Sequence, residues 1–432
     1  MSLKSIQINP ARHLKGEITV PGDKSITHRA LIFASIARGK SMVRGLQKGK
    51  DCLATLNALK MMGIHMEEEE DRLVVYGQGL SGLREPPNIL DCGNSGTTVR
   101  LLAGLLAPQK FYSVLSGDQY LRKRPMQRVV EPLRKMGARV FGRENGEFPP
   151  LTILGGKLKA IDHSSPIPSA QVKSSLILAG LYAEGETCIR EPYQSRDHTE
   201  RMLKYLGVPV KLEDLTVRVK KSSSFPGREI SIPADISSAA FFIGGATILK
   251  GSYLRVLNVG LNPTRMGFVD ALLQMGADIK VHLEGTRCEE ESGEIQVRGV
   301  SSLKGIKIGG GMIPRLLDEI PILAVVSCFA EGETVIKDAR ELRVKETDRI
   351  RAMATELRRM GAEVEEREDG MVIKGRGHLQ GAECQSYGDH RMAMALIIAG
   401  LSAQGKSKIL GSDCIDTSFP EFWSTLGEIL KT

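Results

Sequence analysis

The sequence predicts an α/β protein made of two pseudo-symmetric halves. Three observations predict it: a small-residue apolar run recurs six times, an amphipathic run closed by glycine recurs five times, and short alternating stretches stand between them.

The apolar runs set the frame. They read Ser25-ITHRALIFASIARGKS, Ser95-GTTVRLLAGLLA, Val172-KSSLILAGLYAEGET, Ile236-SSAAFFIGGATILKGS, Ile320-PILAVVSCFAEGET and His390-RMAMALIIAGLSAQGKS. Successive copies start 64 to 84 residues apart, room for one supersecondary unit each. Each run is rich in Ala, Leu and Ile and apolar on most faces, which predicts a buried helix. Glycine ends several of them. The second set ends LKMMG at Leu59, LRKMG at Leu133, LKYLG at Leu203, LLQMG at Leu272 and LRRMG at Leu357. These runs are amphipathic, and all but LLQMG have Lys or Arg near their C-termini, where the helix dipole favours cations. DRLVVYG, PPLTILGG, LTVRVK, EIQVRG and GMVIKG alternate and read as strands. Each unit is then strand, buried helix, strand, amphipathic helix, strands. The main division falls near Ile232-Pro233-Ala234-Asp235, between the third and fourth copies. A cleft between two halves is a common place for a ligand.

The chain has 432 residues, 41% hydrophobic and 25% charged, enough for two or three domains with sizeable cores. No apolar run approaches the length of a membrane span. The opening MSLKSIQINPARHLKG has no apolar signal core, so a cytoplasmic protein is expected. Seven cysteines are scattered without a C-x-x-C pair, which disfavours a disulfide scaffold or zinc site. The formal charge is +8. Its ordinary reading is a solvated basic surface, and its sharper reading is that Lys and Arg converge on an anionic ligand. Nucleic acid is disfavoured, because no dense basic run carries interleaved aromatics and aromatics are only 5%. Small phosphorylated substrates fit better.

Several motifs place cations and hydroxyls at helix starts. Pro21-Gly22-Asp23-Lys24-Ser25-Ile26-Thr27-His28-Arg29 opens the first buried helix, where backbone N–H groups attract anions. Its ordinary reading is a charged N-cap. Asp91-Cys92-Gly93-Asn94-Ser95-Gly96-Thr97-Thr98-Val99-Arg100 has the same design, with glycines that let a ligand approach the backbone. Leu121-Arg122-Lys123-Arg124-Pro125-Met126 packs three cations before a proline that stiffens the loop. Ser169-Ala170-Gln171-Val172-Lys173 offers hydroxyl and amide groups to a phosphorylated polyol, or plain capping. Arg196-Asp197-His198-Thr199-Glu200 is a ligand loop or a capping box with ordinary ion pairs. Asp318-Glu319, Val344-Lys345-Glu346-Thr347-Asp348-Arg349 and Gly388-Asp389-His390-Arg391 set carboxylates beside cations. Such pairs are usually surface decoration, but these stand at the polar starts of buried helices or in the loops between units. Gly77-Gln78-Gly79-Leu80-Ser81-Gly82 matches G-x-G-x-x-G, yet Pro86-Pro87 follows and precludes the long helix of a dinucleotide site.

GDKSITHR, GNSGTTVR, RPM, SAQVKS, DEIPILA, VKETDRI, GDHRMAMA and SFPEF, in this order over almost the whole chain, resemble the 5-enolpyruvylshikimate-3-phosphate synthase family. The resemblance implies the enolpyruvyl transferase fold, an inverse α/β barrel-like arrangement of two domains, each of three βαβαββ units. It implies an N-terminal domain of residues 22–232 that mainly binds shikimate 3-phosphate. Residues 1–21 with 233–432 would form the C-terminal domain, carrying the catalytic carboxylates and a phosphoenolpyruvate clamp. RDHTE, GDKS, SAQVK and NPTR look like the class II type. Where class I carries a lysine before Thr-Phe-Pro, this chain reads Asp416-Thr417-Ser418-Phe419-Pro420, so that contact is not carried over.

The resemblance implies transfer of the enolpyruvyl group of phosphoenolpyruvate to the 5-hydroxyl of shikimate 3-phosphate. It implies no metal or organic cofactor, and a monomer with neither nucleic acid nor membrane as partner. By the same resemblance, shikimate 3-phosphate is held by Lys24, Ser25, Arg29, Ser169, Ala170, Gln171, Arg196, Asp318 and Lys345. Phosphoenolpyruvate is held by Lys24, Gly96, Arg124, Gln171, Arg349 and Arg391. Asp318 is the base near the hydroxyl, and Glu346 with Lys24 serves proton transfer at the methylene. Glyphosate, which competes with phosphoenolpyruvate in this family, is expected to inhibit with intermediate strength, and Gly96→Ala to weaken it more than phosphoenolpyruvate. Two rivals stand beside this reading. The enolpyruvyl transferase acting on UDP-N-acetylglucosamine typically has Lys-Asn at the first helix and a loop cysteine, whereas here Ser25 follows Lys24 and no cysteine precedes Arg124. A nucleic-acid clamp would carry its cations along exposed helix faces rather than at helix starts.

Overall fold

The polar residue before most apolar runs is a helix cap. The computed structural model describes residues 4–430, and there the Lys24–Ile36 helix is opened by Asp23, whose carboxylate accepts from Ile26 N. Ser95 caps Gly96–Leu106, Ser169 caps Ala170–Gly180, Asp235 caps Ile236–Ile248 and Asp389 caps His390–Leu401. Each cap satisfies a donor that the first helical turn leaves free. The Ile320–Ser327 helix has no side-chain cap and instead places Pro321 in its first turn, where a missing N–H costs nothing. The amphipathic helices are Lys50–Met61, Gln127–Lys135, His198–Tyr205, Gly267–Gln274 and Arg349–Arg359.

Two compact units result: Gly22–Ile232 with Arg287–Glu290, and Met1–Pro21 with Pro233–Thr286 and Glu291–Thr432. Among the described residues the first contains three sheets of four strands, and the second two of four and one of three. One strand rule recurs. Leu90–Asp91 runs parallel to Tyr112–Ser116, which is antiparallel to Phe148–Leu154, which is antiparallel to Arg139–Gly142. The parallel pair is joined through a buried helix, as a parallel crossover requires, and the amphipathic helix leads into the hairpin.

In each unit, strands distant in the chain complete sheets of that same unit. Glu229–Ser231, from the end of the first unit, pairs parallel with Arg38–Arg44 near its beginning. In the second unit Lys15–Ile18 pairs parallel with Tyr253–Gly260, and Ser5–Ile8 completes the three-stranded sheet against Ser407–Leu410. These pairings cover strand edges that would otherwise be open.

The apolar helices are the cores. In the first unit Leu31, Phe33, Leu101, Leu105, Leu176 and Ile177 belong to one buried cluster. Gly104 lies against the Ala170–Gly180 helix, and a Cβ there would stand 2.1 Å from the Ser175 carbonyl oxygen, so only glycine allows this approach. The second unit has its own cluster, where Phe242 meets Phe419 edge-on at 6.0 Å and stacks on Phe422 at 5.4 Å between ring centroids. Burying one such ring is worth roughly 1.5–3 kcal/mol.

Candidate active site

In the first unit, hydrogen bonds tie together the starts of three buried helices. Lys24 begins the Lys24–Ile36 helix, and its ammonium lies 3.0 Å from Asp51 Oδ2. Asp51 belongs to the Lys50–Met61 helix, and its carbonyl oxygen accepts from Thr98 Oγ1 at 3.3 Å. On the Gly96–Leu106 helix, Thr97 Oγ1 accepts from Gln171 Nε2 at 2.9 Å, while Arg100 Nη1 donates to Gln171 Oε1 at 2.5 Å. Gln171 is therefore held at both ends of its amide at the start of the Ala170–Gly180 helix. Ser169 caps that helix, and the Ala170 carbonyl accepts from Ser174 Oγ at 2.5 Å.

Two guanidiniums share the start of the Gly96–Leu106 helix. A Cβ on Gly96 would lie 2.8 Å from Arg124 Cζ and Nη1 and 2.9 Å from Arg100 Nη1. Arg124 and Arg100 are both buried. Paired guanidiniums at a helix N-terminus form a site for an anion, because backbone N–H groups, dipole and formal charge all have one sign there. Arg29 is the second such group. It donates to Thr199 Oγ1 at 2.7 Å, Ser25 O at 2.8 Å and Ser174 Oγ at 2.6 Å. Burial brings its pKa down to about 10, against the opposing charges of Glu200 and Asp23. Arg196 Nη1 reaches Ser25 Oγ at 3.5 Å.

In the second unit the cluster centres on Asp318. Arg349 Nη1 lies 3.3 Å and Lys345 Nζ 3.7 Å from Asp318 Oδ1, and Arg391 Nη2 lies 3.8 Å from Oδ2. Arg391 Nη1 also donates to the Asp318 carbonyl at 3.2 Å. Arg349 is gripped from two more sides: Nε donates to Asp389 Oδ2 at 2.8 Å, and Nη2 to Glu346 Oε2 at 2.7 Å. Burial alone would lower the Arg349 guanidinium, but Asp389, Glu346 and Asp318 outweigh it and raise its pKa above the ordinary value. Burial holds the Lys345 ammonium below its ordinary value, with Asp318 opposing. A lysine shifted this way gives up a proton more readily than a surface lysine.

All the residues expected from the motifs thus fall into two charged clusters. Lys24, Ser25, Arg29, Gly96, Arg124, Ser169, Ala170, Gln171 and Arg196 stand in the first unit, and Asp318, Lys345, Glu346, Arg349 and Arg391 in the second. The Arg196 motif is not a capping box: Asp197 makes no side-chain cap, and its carboxylate takes Arg201 Nε at 2.8 Å.

Sequence reasoning missed several partners. Asp51 carries no motif, and only the fold sets it against Lys24, 27 residues away. Arg100 and Asp389 lie inside quoted motifs, so their signal was present but unassigned. Glu319, 1% exposed, receives a hydrogen bond from Ser237 Oγ and sits 3.7 Å from Arg391 Nη1. Arg265 Nη2 also donates to Ser237 Oγ, at 2.6 Å. Glu319 Oε1 thus faces two cations, Arg391 Nη1 at 3.7 Å and Arg265 Nη2 at 4.0 Å.

Residues 8–426 match the family model described as EPSP synthase (3-phosphoshikimate 1-carboxyvinyltransferase). The 3-phosphoshikimate 1-carboxyvinyltransferase of Geobacter metallireducens is 52% identical over 427 residues, 99% of each chain. That of Alkaliphilus metalliredigens is 51% identical over 98% of this chain and 99% of its own. Among solved structures, an EPSP synthase from Acinetobacter baumannii superposes with a TM-score of 0.87 at 43% identity, covering 98% of both chains.

Proposed function

The chain belongs to the EPSP synthase family, and from that membership we infer how its two charged clusters divide the reaction. The reaction is the transfer of the enolpyruvyl group of phosphoenolpyruvate to the 5-hydroxyl of shikimate 3-phosphate, on the route to chorismate and the aromatic amino acids. The methylene carbon of phosphoenolpyruvate gains a proton, its central carbon is attacked by the hydroxyl oxygen, and the hydroxyl loses its proton. The tetrahedral adduct then loses phosphate, and the new methyl group returns a proton to restore the double bond.

Two polyanions must be held together against their repulsion, which is the task of the cations. In our reading Arg29, Arg196, Ser25, Ser169, Ala170 and Gln171 hold shikimate 3-phosphate, with Lys24 and Lys345 contributing charge. Arg124, whose guanidinium packs directly against Gly96, receives phosphoenolpyruvate together with Gln171, Arg349 and Arg391. Asp318 takes the hydroxyl proton, and Glu346 with Lys24 moves the proton at the methylene. The observation that carries this assignment is Asp318 itself: three cations within 4.0 Å fix one carboxylate in place. A cytoplasmic monomer acting on small molecules, without nucleic acid or membrane, completes the proposal.

Phosphate release tests the assignment. With phosphoenolpyruvate and shikimate 3-phosphate the protein should release phosphate. With UDP-N-acetylglucosamine in place of shikimate 3-phosphate it should not, and equal release from the nucleotide sugar would overturn the acceptor.

A further inference from the structure

Lys173 stands four residues after Ser169 in the same helical turn, yet its side chain faces the interior and is 3% exposed. Its ammonium lies 2.9 Å from Glu191 Oε2, 2.8 Å from Glu200 Oε1 and 3.4 Å from the Ser195 carbonyl oxygen. An ammonium has three N–H donors, and three protein oxygens surround this one. At 3% exposure the ammonium is closed off from solvent.

Glu191 uses its other capacity on the chain around it. Oε1 accepts from the backbone N of Ser169 at 2.8 Å, and Oε2 accepts from Ser195 Oγ at 2.8 Å and from Ser195 N at 3.4 Å. Ser169 caps the Ala170–Gly180 helix, and Ser195 immediately precedes Arg196. One carboxylate therefore fixes both segments. Glu200, on the His198–Tyr205 helix, is the other acid against Lys173, and it is also the strongest charge opposing the burial of Arg29.

We propose that Lys173 is a positioning residue for shikimate 3-phosphate: it holds Glu191, and through Glu191 it fixes the segments that carry Ser169 and Arg196. This rests on the reading above that Ser169 and Arg196 bind that substrate. The electrostatic balance agrees. Burial would lower the Lys173 ammonium, but Glu200 and Glu191 outweigh it and keep the group charged. Without Lys173 the carboxylates of Glu191 and Glu200 would both lose the ammonium they share, and removing one partner of a buried ion pair is strongly destabilising to the segments that meet there.

The test uses the full-length enzyme with Glu191→Gln and Lys173→Met, reading kcat, both KM values and the binary affinity for shikimate 3-phosphate by calorimetry. Glu191→Gln keeps the size of the side chain and should raise KM for shikimate 3-phosphate about tenfold, with KM for phosphoenolpyruvate within about twofold. Lys173→Met should raise the former further. A folded Glu191→Gln protein with unchanged affinity for shikimate 3-phosphate, or with both KM values raised equally, overturns the proposal. Should Lys173→Met not fold, Glu191→Gln alone decides. Ser169→Ala and Arg196→Ala are measured alongside. If they leave binding of shikimate 3-phosphate intact, the site assignment itself fails. If they weaken it while Glu191→Gln does not, only the role of Lys173 falls.

Discussion

At the scale of single residues, the site rests on side chains whose neighbours leave no slack. Gly96 is the sharpest case, since an added methyl would strike the Arg124 guanidinium at 2.8 Å. The guanidinium is the far end of a flexible side chain and can yield, so Gly96→Ala should fold but hold Arg124 displaced. KM for phosphoenolpyruvate should rise, and the inhibition constant of glyphosate should rise more. Steady-state inhibition gives both numbers, and an unchanged ratio between them would remove Gly96 from the site. Asp318→Asn should cut kcat by about 10²-fold or more, the usual worth of a positioned base, while calorimetry finds shikimate 3-phosphate still bound. An active but heat-sensitive variant would make Asp318 a structural ion-pair partner instead. His28 gives a pH dependence. It is fully buried, with Nδ1 2.8 Å from Thr55 Oγ1, and burial, then Lys24 and Arg29, hold its pKa well below 6.5. The unfolded chain takes up this proton near pH 6.5 and the folded chain only at lower pH. Stability from this group is therefore whole above about pH 6.5 and is lost as pH falls toward the folded pKa. Between pH 7 and 5 the melting temperature of His28→Gln should fall less than that of the wild type, and parallel curves would refute this.

At the scale of elements, the Arg349–Arg359 helix shows how distant parts of a motif are registered. Its first residue grips Asp389, and Glu356, two turns on and fully buried, accepts from Tyr387 Oη at 2.6 Å and Gln385 N at 3.1 Å. Tyr387 sits at φ 58°, a left-handed conformation that costs a bulky side chain energy, and this pair of bonds holds it there. Burial and Glu356 together push its phenol up to about 12. Two residues later Asp389 caps the His390–Leu401 helix and receives Arg349. Tyr387→Phe should therefore raise KM for phosphoenolpyruvate about fivefold, matching the ~1 kcal/mol of one buried hydrogen bond, with KM for shikimate 3-phosphate within about twofold. Equal rises in both would mean only general loosening. The buried helices were legible from sequence because small apolar runs with Asp or Ser at their starts have one economical structure. The short 3-10 turns Leu317–Glu319 and Arg340–Val344 were not, because nothing periodic marks them. Their geometry is set by tertiary pairs, such as Arg343 with Asp348 at 2.7 Å and Glu366 at 3.0 Å. For the same reason the cations of the site were readable in motifs, while Asp51 and Glu191, which orient those cations or the segments that carry them, were not, and Glu319 stood inside a motif without a role assigned to it.

At the scale of the whole molecule, each unit has its own apolar cluster, and one of the three sheets of the first is completed by its own strand Glu229–Ser231. That closure matters for what a fragment can do. Residues 22–232 contain every strand of their three sheets and lack only the turn Arg287–Glu290. The missing turn is not neutral. Glu290 Oε1 lies 2.8 Å from His198 Nδ1, both side chains are buried, and the Glu289 carbonyl accepts from Arg201 Nη1 at 2.6 Å. A buried polar group that loses its partner costs about 1–3 kcal/mol, a modest part of what a core of this size supplies. The fragment should therefore fold, melt below the full chain, and still bind shikimate 3-phosphate, because Arg29, Ser169, Gln171 and Arg196 are all present. Its affinity should be weaker, since Asp318 and Lys345 are absent, and it should release no phosphate from phosphoenolpyruvate. Circular dichroism establishes folding, and calorimetry then measures binding. A fragment that is demonstrably folded and still fails to bind shikimate 3-phosphate would place the main determinants of that substrate in residues 233–432. It would also leave Arg29 and Arg196 as structural ions holding helix starts together.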